Sequence, residues 1–103
     1  MSIAQAIAKA KSSLPIQEVG KKLTSYAHYL KKHREELAEL ISSEVGKPLW
    51  ESHTEVEAMM GKIPLSLEAH QLRCPSWQKG TLQLTHRPHG VLAVLGPSNF
   101  PAH

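Results

Sequence analysis

Most of the chain carries hydrophobic residues at the spacing of a helical face. Between positions 19 and 45 they recur at steps of three, four or seven, the period of a helix with one buried side. This pattern predicts a long helical stretch, and the polar run at 31–36 predicts a bend near His33. Residues 1–13 predict a shorter amphipathic helix before Pro15. The long stretch is expected to turn Val19, Leu23, Tyr26, Leu30, Leu37, Leu40, Ile41 and Val45 inward.

A further helix is predicted after Gly46. Glycine is typical of a helix C-terminal cap and proline of a first helical turn, so Pro48 is expected to start this helix from Lys47. Pro64 lies inside the apolar pattern, where a proline costs about 3 kcal/mol in an ideal helix. We therefore expect a kink there, eased by Gly61. The inward residues of this helix are expected to be Trp50, Val56, Met59, Met60, Ile63 and Leu67.

The last part of the sequence changes from helical to extended patterning. Residues 74–80, CPSWQKG, are typical of a loop. Residues 81–85 alternate at period two and predict a half-exposed strand, whereas the continuous apolar run at 91–95 predicts a strand buried on both faces. The predicted fold is mainly α with a small β element (α+β): a helical segment over residues 1–80, then two strands over 81–103.

Length and composition narrow the classes of function. A chain of 103 residues with 41% hydrophobic and 20% charged residues is typical of one small globular domain or part of a larger one. Its net charge of +3 is spread along helical faces rather than gathered in one patch, which argues against nucleic-acid binding. No apolar run approaches the roughly 20 residues that span a bilayer, so no membrane partner is expected. Cys74 is the only cysteine, which precludes an intrachain disulfide and favours the cytoplasm.

The histidines do not form a metal-binding pattern. His86 and His89 are three residues apart on a predicted extended segment, where they point to different faces, and no cysteine or carboxylate cluster completes a ligand set. His53 and Glu57 are four apart on a predicted helix, a spacing shared by many pairs that bind nothing. No metal site is predicted.

Candidate chemistry lies in residues 90–103, GVLAVLGPSNFPAH. A strand that ends at Gly96 presents a turn at its carboxyl end, the edge where open parallel sheets bind their ligands. Gly96 allows close backbone approach, and Pro97 and Pro101 stiffen the turn around Asn99. The Asn99 amide could donate to a developing oxyanion. From these residues alone, a surface turn without chemistry is the alternative.

Two blocks of sequence resemble the NAD(P)-dependent aldehyde dehydrogenase superfamily. The first is EELAELISSEVGKPLWES followed by TEVEAMMGKI, which is similar to a helical segment of that family with an E-x-GK turn. The second is GVLAVLGPSNFP, which is similar to the family's strand that ends in Gly-Pro and leads to Asn-Phe-Pro. The stretches GKPLWES, TEVEAM, HRPHGVLAV and GPSNFPAH most resemble the succinylglutamate-semialdehyde dehydrogenase branch, which acts in arginine catabolism.

The resemblance implies a reaction and a set of site residues. Members of this family use a cysteine thiolate to attack an aldehyde, transfer hydride to NAD(P) and hydrolyse the thioester with a glutamate as general base. In this branch the reaction converts N-succinylglutamate 5-semialdehyde to N-succinylglutamate with NAD. Asn99 occupies the position of the family's oxyanion-hole asparagine. Leu95, Gly96, Pro97 and Ser98 occupy the positions beside the nicotinamide and ribose of the cofactor.

The resemblance also implies that this chain is an amino-terminal fragment of the aldehyde dehydrogenase α/β fold. The family's catalytic Cys and Glu lie after the Asn motif, as do its pyrophosphate-binding turn and its ribose-binding Lys. Cys74 precedes the motif and is therefore not that nucleophile. We expect the isolated chain to be inactive and to bind no NAD. Ser98 departs from the family by replacing a commonly aromatic residue, and Pro64 departs from it by interrupting a helix that is usually continuous.

A small helical module that acts by association is the alternative interpretation. A strand of the buried type at 91–95 and a long apolar helical face would expose surface that a monomer of this size cannot easily cover. A homo-oligomer, with or without strand exchange, would cover it. This interpretation is compatible with the dehydrogenase resemblance.

Overall fold

The computed structural model describes residues 2–10 and 16–102. Helices dominate the described residues and are followed by one small antiparallel sheet, which confirms the mainly α prediction with a small β element. The predicted end of the first helix before Pro15 lies outside the described residues. The elements in chain order are α1 (Ile3–Ala10), α2 (Ile16–Lys32), α3 (Arg34–Val45), α4 (Leu49–Arg73), β1 (Trp77–Lys79) and β2 (Leu82–Leu84).

The long helical stretch is divided at His33, as the polar run predicts. His33 is the single residue between α2 and α3, and its backbone N–H donates to Tyr29 O over 3.1 Å. The Leu37 N–H donates in turn to His33 O over 3.0 Å. The hydrogen-bond pattern therefore carries across the break, and α2 and α3 are consecutive helices without an intervening loop.

Gly46 ends α3 in the predicted manner. It has φ 77° and ψ 19°, in the left-handed region, and its N–H donates to Ser42 O over 2.9 Å. The expected start of the next helix at Lys47 is wrong by two residues, because α4 begins at Leu49. Pro48 precedes the first helical residue, and its carbonyl accepts from the N–H groups of Glu51 and Ser52 over 3.0 and 3.1 Å.

Helix α4 is the central element of the fold. It continues through Pro64 as one helix of 25 residues, and both α2 and α3 pack against it. The kink expected near Gly61 and Pro64 does not end the helix, and a bend within it remains a prediction. At 1.5 Å per residue α4 is about 37 Å long.

The core lies between α3 and α4. Ala38, Ile41 and Val56 are almost fully buried, and Leu30 on α2 is buried as well. Partly buried residues that pack against this cluster are Leu37, Val45 and Ala102. Ala102, which is distant in the sequence from α3 and α4, therefore lies against their core.

Three residues that the helical period predicts to face inward are exposed instead. The exposed fractions are 48% for Tyr26, 52% for Leu40 and 69% for Trp50. A helical period identifies one apolar face, but each of these helices covers only part of that face against its neighbour. The inward prediction is therefore correct for Leu30, Ile41 and Val56 and wrong for these three.

The two strands form a hairpin. Trp77 pairs with Leu84 and Lys79 pairs with Leu82, with Gly80 and Thr81 between the strands. Gly80 has φ 61°, which suits the first central position of a type II′ turn. A strand within the predicted range 81–85 is confirmed over Leu82–Leu84, but the half-exposed pattern is wrong because all three residues are exposed. The loop predicted over 74–80 is wrong at β1, which lies within it.

Residues 91–95 form no strand, contrary to the prediction. Leu92, Val94 and Leu95 are 83%, 78% and 98% exposed. A strand buried on both faces requires hydrogen-bonded neighbours, and within the described part of the chain β1 and β2 pair only with each other. The division predicted between residues 1–80 and 81–103 falls in the hairpin turn and stays a prediction.

Candidate functional site

The Asn-bearing motif folds as a β-turn. The Phe100 N–H donates to Pro97 O over 3.4 Å, which places Ser98 and Asn99 at the two central positions. Both central residues are exposed, and neither has a positive φ. The turn therefore presents Asn99 to solvent in a backbone conformation that ordinary residues adopt without strain.

The chain just after Asn99 is attached to α4. The backbone N–H of Ala102 donates to Glu55 Oε1 over 3.0 Å, and Ala102 packs against the core of Ala38, Ile41 and Val56. These contacts join residue 102 to the first half of α4. The turn is thus held on its C-terminal side, whereas residues 91–95 on its N-terminal side are exposed.

A buried ion pair lies under this attachment. Lys47 Nζ is 2.7 Å from Glu55 Oε2, and the side chains are only 8% and 0% exposed. The Lys47 ammonium also lies 4.1 Å from the centroid of the Phe100 ring. Removing one partner of such a pair leaves an uncompensated buried charge, at a cost of about 3–5 kcal/mol.

The connection between α3 and α4 positions Lys47 for this pair. After the left-handed Gly46, the Lys47 carbonyl accepts a hydrogen bond from Ser42 Oγ over 2.8 Å. Ser52, which is fully buried on α4, donates from its hydroxyl to Pro48 O over 3.4 Å. Both ends of this short connection are therefore bonded to helices, and the Lys47 side chain is directed from a fixed backbone.

The positions that the family resemblance assigns to the cofactor lie together in one exposed segment. Leu95, Gly96, Pro97 and Ser98 are all exposed, and Leu95 is 98% exposed. A Cβ added at Gly96 would lie 3.5 Å from Pro101 O, an ordinary contact, so the segment folds back on itself at this point.

One depression in the described part of the chain lies away from the turn. A shallow depression between α2 and α4 is lined by Ala27, His28, Lys31 and Met60 and includes no residue of the turn.

Cys74 and His53 make contacts other than with the turn. Cys74 caps the C-terminal end of α4, about 28 Å along the helix axis from Glu55 at 1.5 Å per residue. His53 Nε2 is 3.3 Å from Glu35 Oε2 rather than paired with Glu57, and His86 and His89 are exposed. In the described ranges, no group of three or more His, Cys, Asp or Glu side chains could hold a metal ion. No helix there is both long and apolar enough to cross a membrane.

Sequence reasoning missed Lys47 and Glu55. The available signal was the position of Glu55, which lies three residues after Ser52 and four before Met59, in the row of α4 that faces the other helices. A carboxylate in an inward row indicates a buried partner, because charged residues are almost never buried alone. The identity of that partner does not follow from the local pattern.

The amino-acid sequence of the chain matches that of a known protein family. A sequence model described as "Aldehyde dehydrogenase family" matches residues 1–103. The chain belongs to the aldehyde dehydrogenase family. This confirms the resemblance that the E-x-GK turn and the Asn-Phe-Pro turn indicate.

Three curated relatives of this aldehyde dehydrogenase family member are named N-succinylglutamate 5-semialdehyde dehydrogenase. The protein from Erwinia tasmaniensis is 51% identical over 78 residues, which are 76% of this chain and 16% of the relative. Those from Serratia proteamaculans and Legionella pneumophila (strain Corby) are 44% and 41% identical over 97% and 98% of this chain, and over 21% of each relative. The chain spans about a fifth of the length of these curated relatives.

Proposed function

We propose that this chain supplies the oxyanion-binding turn of an NAD-dependent dehydrogenase that oxidises N-succinylglutamate 5-semialdehyde to N-succinylglutamate in arginine catabolism. The single observation that carries the proposal is an exposed Asn99 on a turn that is attached to α4 by Glu55. The names of relatives that align with most of the chain support the choice of substrate.

The proposed role of Asn99 is to donate from its side-chain amide to the oxygen of the reacting aldehyde. Attack on an aldehyde places negative charge on that oxygen, and a donor already in position stabilises the charge at little cost in reorganisation. Loss of one such donor typically lowers kcat by about 10²–10³. Asn99 is suited to this role because it is exposed and lies in an unstrained turn.

Residues 95–98 are proposed to line the nicotinamide and ribose side of the cofactor. Leu95 offers an exposed apolar surface, and Gly96, Pro97 and Ser98 continue it into the turn. Bound NAD supplies the hydride acceptor of the reaction. Because residues 95–98 are all exposed, the proposal includes that the 103-residue chain alone binds no NAD.

The 103-residue chain is also proposed to be catalytically inactive as a separate molecule. This family's chemistry needs a cysteine thiolate next to the oxyanion donor, and the sole cysteine, Cys74, lies at the opposite end of α4 from the attachment of the turn. We also propose that the protein is cytoplasmic, because a reducing compartment keeps the family's catalytic cysteine thiol from forming a disulfide.

A chimeric enzyme tests the proposed substrate and the role of Asn99. Residues 1–103 replace the aligned segment of the Serratia proteamaculans relative, and formation of NADH is followed with N-succinylglutamate 5-semialdehyde. We expect an active chimera whose kcat falls about 10²–10³ with Asn99→Ala. Gln71→Ala, an exposed amide on α4, is the matched control and should leave kcat unchanged. Full activity of the Asn99→Ala chimera would exclude the proposed role.

The purified 103-residue chain tests the proposed inactivity. With NAD and the same aldehyde, formation of NADH should stay at the level of a blank without protein. Titration of NAD followed by ligand-observed NMR should likewise show no binding. Turnover clearly above the blank would contradict this part of the proposal.

Self-association is the second proposed property. Leu92, Val94 and Leu95 are strongly exposed, and burial of apolar surface between copies is favourable. Sedimentation velocity at high micromolar concentration should show a species larger than the 11.4 kDa monomer. A strict monomer under those conditions would count against a homo-oligomer.

A further inference from the structure

We infer that Lys47 and Glu55 are positioning residues, whose buried ion pair ties the Asn99 turn to the helices so that the Asn99 amide is presented at a fixed place. This inference rests on the proposed function for the role of Asn99. The tie itself can be measured without any catalytic activity.

Glu55 joins three parts of the chain through one carboxylate. Its Oε2 accepts from Lys47 in the α3–α4 connection over 2.7 Å, and its Oε1 accepts from the Ala102 N–H over 3.0 Å. Hydrogen bonds to an ionised carboxylate are stronger than those between neutral groups. Because the Glu55 side chain is fully buried, water does not compete for these contacts.

Lys47 holds the same segment at a second point. Its ammonium lies over the Phe100 ring at 4.1 Å, while its own backbone is fixed by the Ser42 hydroxyl. Phe100 and Ala102 are the first and third residues after Asn99. Two contacts so close to Asn99 restrict both the direction and the distance of the turn from α4.

Stability alone does not account for a charged pair at this place. An apolar pair of similar volume is often at least as stabilising as a buried ion pair, because the charges lose their hydration. An apolar pair offers no acceptor for the Ala102 N–H. The charged pair adds a carboxylate oxygen that accepts the Ala102 N–H, and this hydrogen bond holds the segment that carries Asn99.

Two double variants separate the positioning role from a merely structural one. Lys47→Met/Glu55→Leu removes both charges and the acceptor, whereas Lys47→Met/Glu55→Gln removes the charges and keeps an acceptor oxygen for Ala102. Urea unfolding reports overall stability. Amide hydrogen exchange at Ala102 and the NMR signals of the Asn99 side chain report the turn.

The Leu-containing double variant should keep a urea midpoint close to that of the unchanged chain while Ala102 exchanges about tenfold faster. That factor corresponds to about 1.4 kcal/mol, close to the lower end of what a hydrogen bond to a charged group contributes. The Asn99 signals should move toward those of a free peptide. The Gln-containing variant should retain the slow exchange. Equal, unchanged protection of Ala102 in both variants would overturn the inference.

The unchanged chain supplies a measurement that does not depend on how the variants fold. Its Ala102 N–H should exchange at least about tenfold more slowly than in a short peptide of the same sequence, and absence of protection would also overturn the inference.

In the chimeric enzyme, the Leu-containing variant should lower kcat about tenfold or more with little change in KM. The reason is that a displaced Asn99 stabilises the transition state less well, whereas binding of the substrate in its ground state does not depend on this contact. An unchanged kcat together with fast exchange would refute the positioning role. If Asn99→Ala leaves the chimera fully active while Ala102 is protected from exchange, the proposed role of Asn99 is wrong. The attachment of the turn through Glu55 is then still supported.

Discussion

The Lys47 ammonium lies 4.1 Å from the centroid of the Phe100 ring, although 53 positions, the difference between 100 and 47, separate the two residues in the sequence. A cation over an aromatic face is stabilised by the ring quadrupole, more so when the cation is shielded from water. The Lys47 side chain is only 8% exposed. The contact therefore links the α3–α4 connection to the residue that follows Asn99.

Phe100→Leu should weaken this link. The substitution keeps an apolar side chain but removes the ring, so we expect the free energy of unfolding to fall by about 1–2 kcal/mol. The Lys47 Hε signals should also lose the upfield shift caused by the ring. Phe100→Tyr, which keeps an aromatic face, is the control, and an equal loss in both variants would contradict a cation–π contribution.

Glu55→Gln should be far more damaging than the same change at Glu57. The first substitution leaves the buried Lys47 ammonium without its countercharge, at an expected cost of about 3–5 kcal/mol in the free energy of unfolding. Glu57 pairs with Arg34 over 3.6 Å at the surface, where such pairs contribute at most about 1 kcal/mol. Urea titration followed by circular dichroism measures both, and similar losses would argue against a buried pair.

Gly46→Ala should destabilise the chain through backbone conformation alone. Gly46 has φ 77° and an added Cβ meets no atom within 4 Å, so the cost is the roughly 1–2 kcal/mol of a left-handed residue with a side chain. Gly61→Ala is the matched control, because Gly61 lies inside α4 and also has open space around it. That control should stabilise the chain by about 0.5–1 kcal/mol. Thermal unfolding distinguishes the opposite signs.

Val56→Ala should create a defect in the core. Val56 is 1% exposed, and loss of two buried methyl groups at about 0.8 kcal/mol each, plus the cavity, predicts a loss of about 2 kcal/mol. Val94→Ala makes the same chemical change at a residue that is 78% exposed, where effects stay within about 0.5 kcal/mol. A large effect at Val94 in the monomer would mean that residues 91–95 pack against the protein.

Pro64→Ala should strengthen α4. The substitution restores a backbone N–H for the Met60 carbonyl and removes the ring from the preceding turn, so stability should rise by up to about 3 kcal/mol. Far-UV circular dichroism and urea unfolding would record the gain. A loss of stability would show that the proline ring makes contacts worth more than the helix gains.

Local patterns in the sequence were sufficient for much of this protein. The helical period predicted α1 to α4, the polar run predicted the break at His33, and Gly46 predicted the end of α3, because each depends on residues only a few positions apart. The Asn-Phe-Pro turn and the E-x-GK turn were likewise enough to indicate the aldehyde dehydrogenase family, which the family match confirms.

The tertiary structure alone decided how these parts meet. The bond between Ala102 and Glu55 joins residues 47 positions apart, and no local period predicts such a contact. Residues 91–95 have the composition of a buried strand but remain exposed, because a strand depends on neighbouring strands as well as on its own residues. The sequence by itself determined the helices and the turn that bears Asn99. Long-range packing determined that a buried Lys47–Glu55 pair holds that turn, since burial of a charge requires a partner that only the folded chain brings within reach.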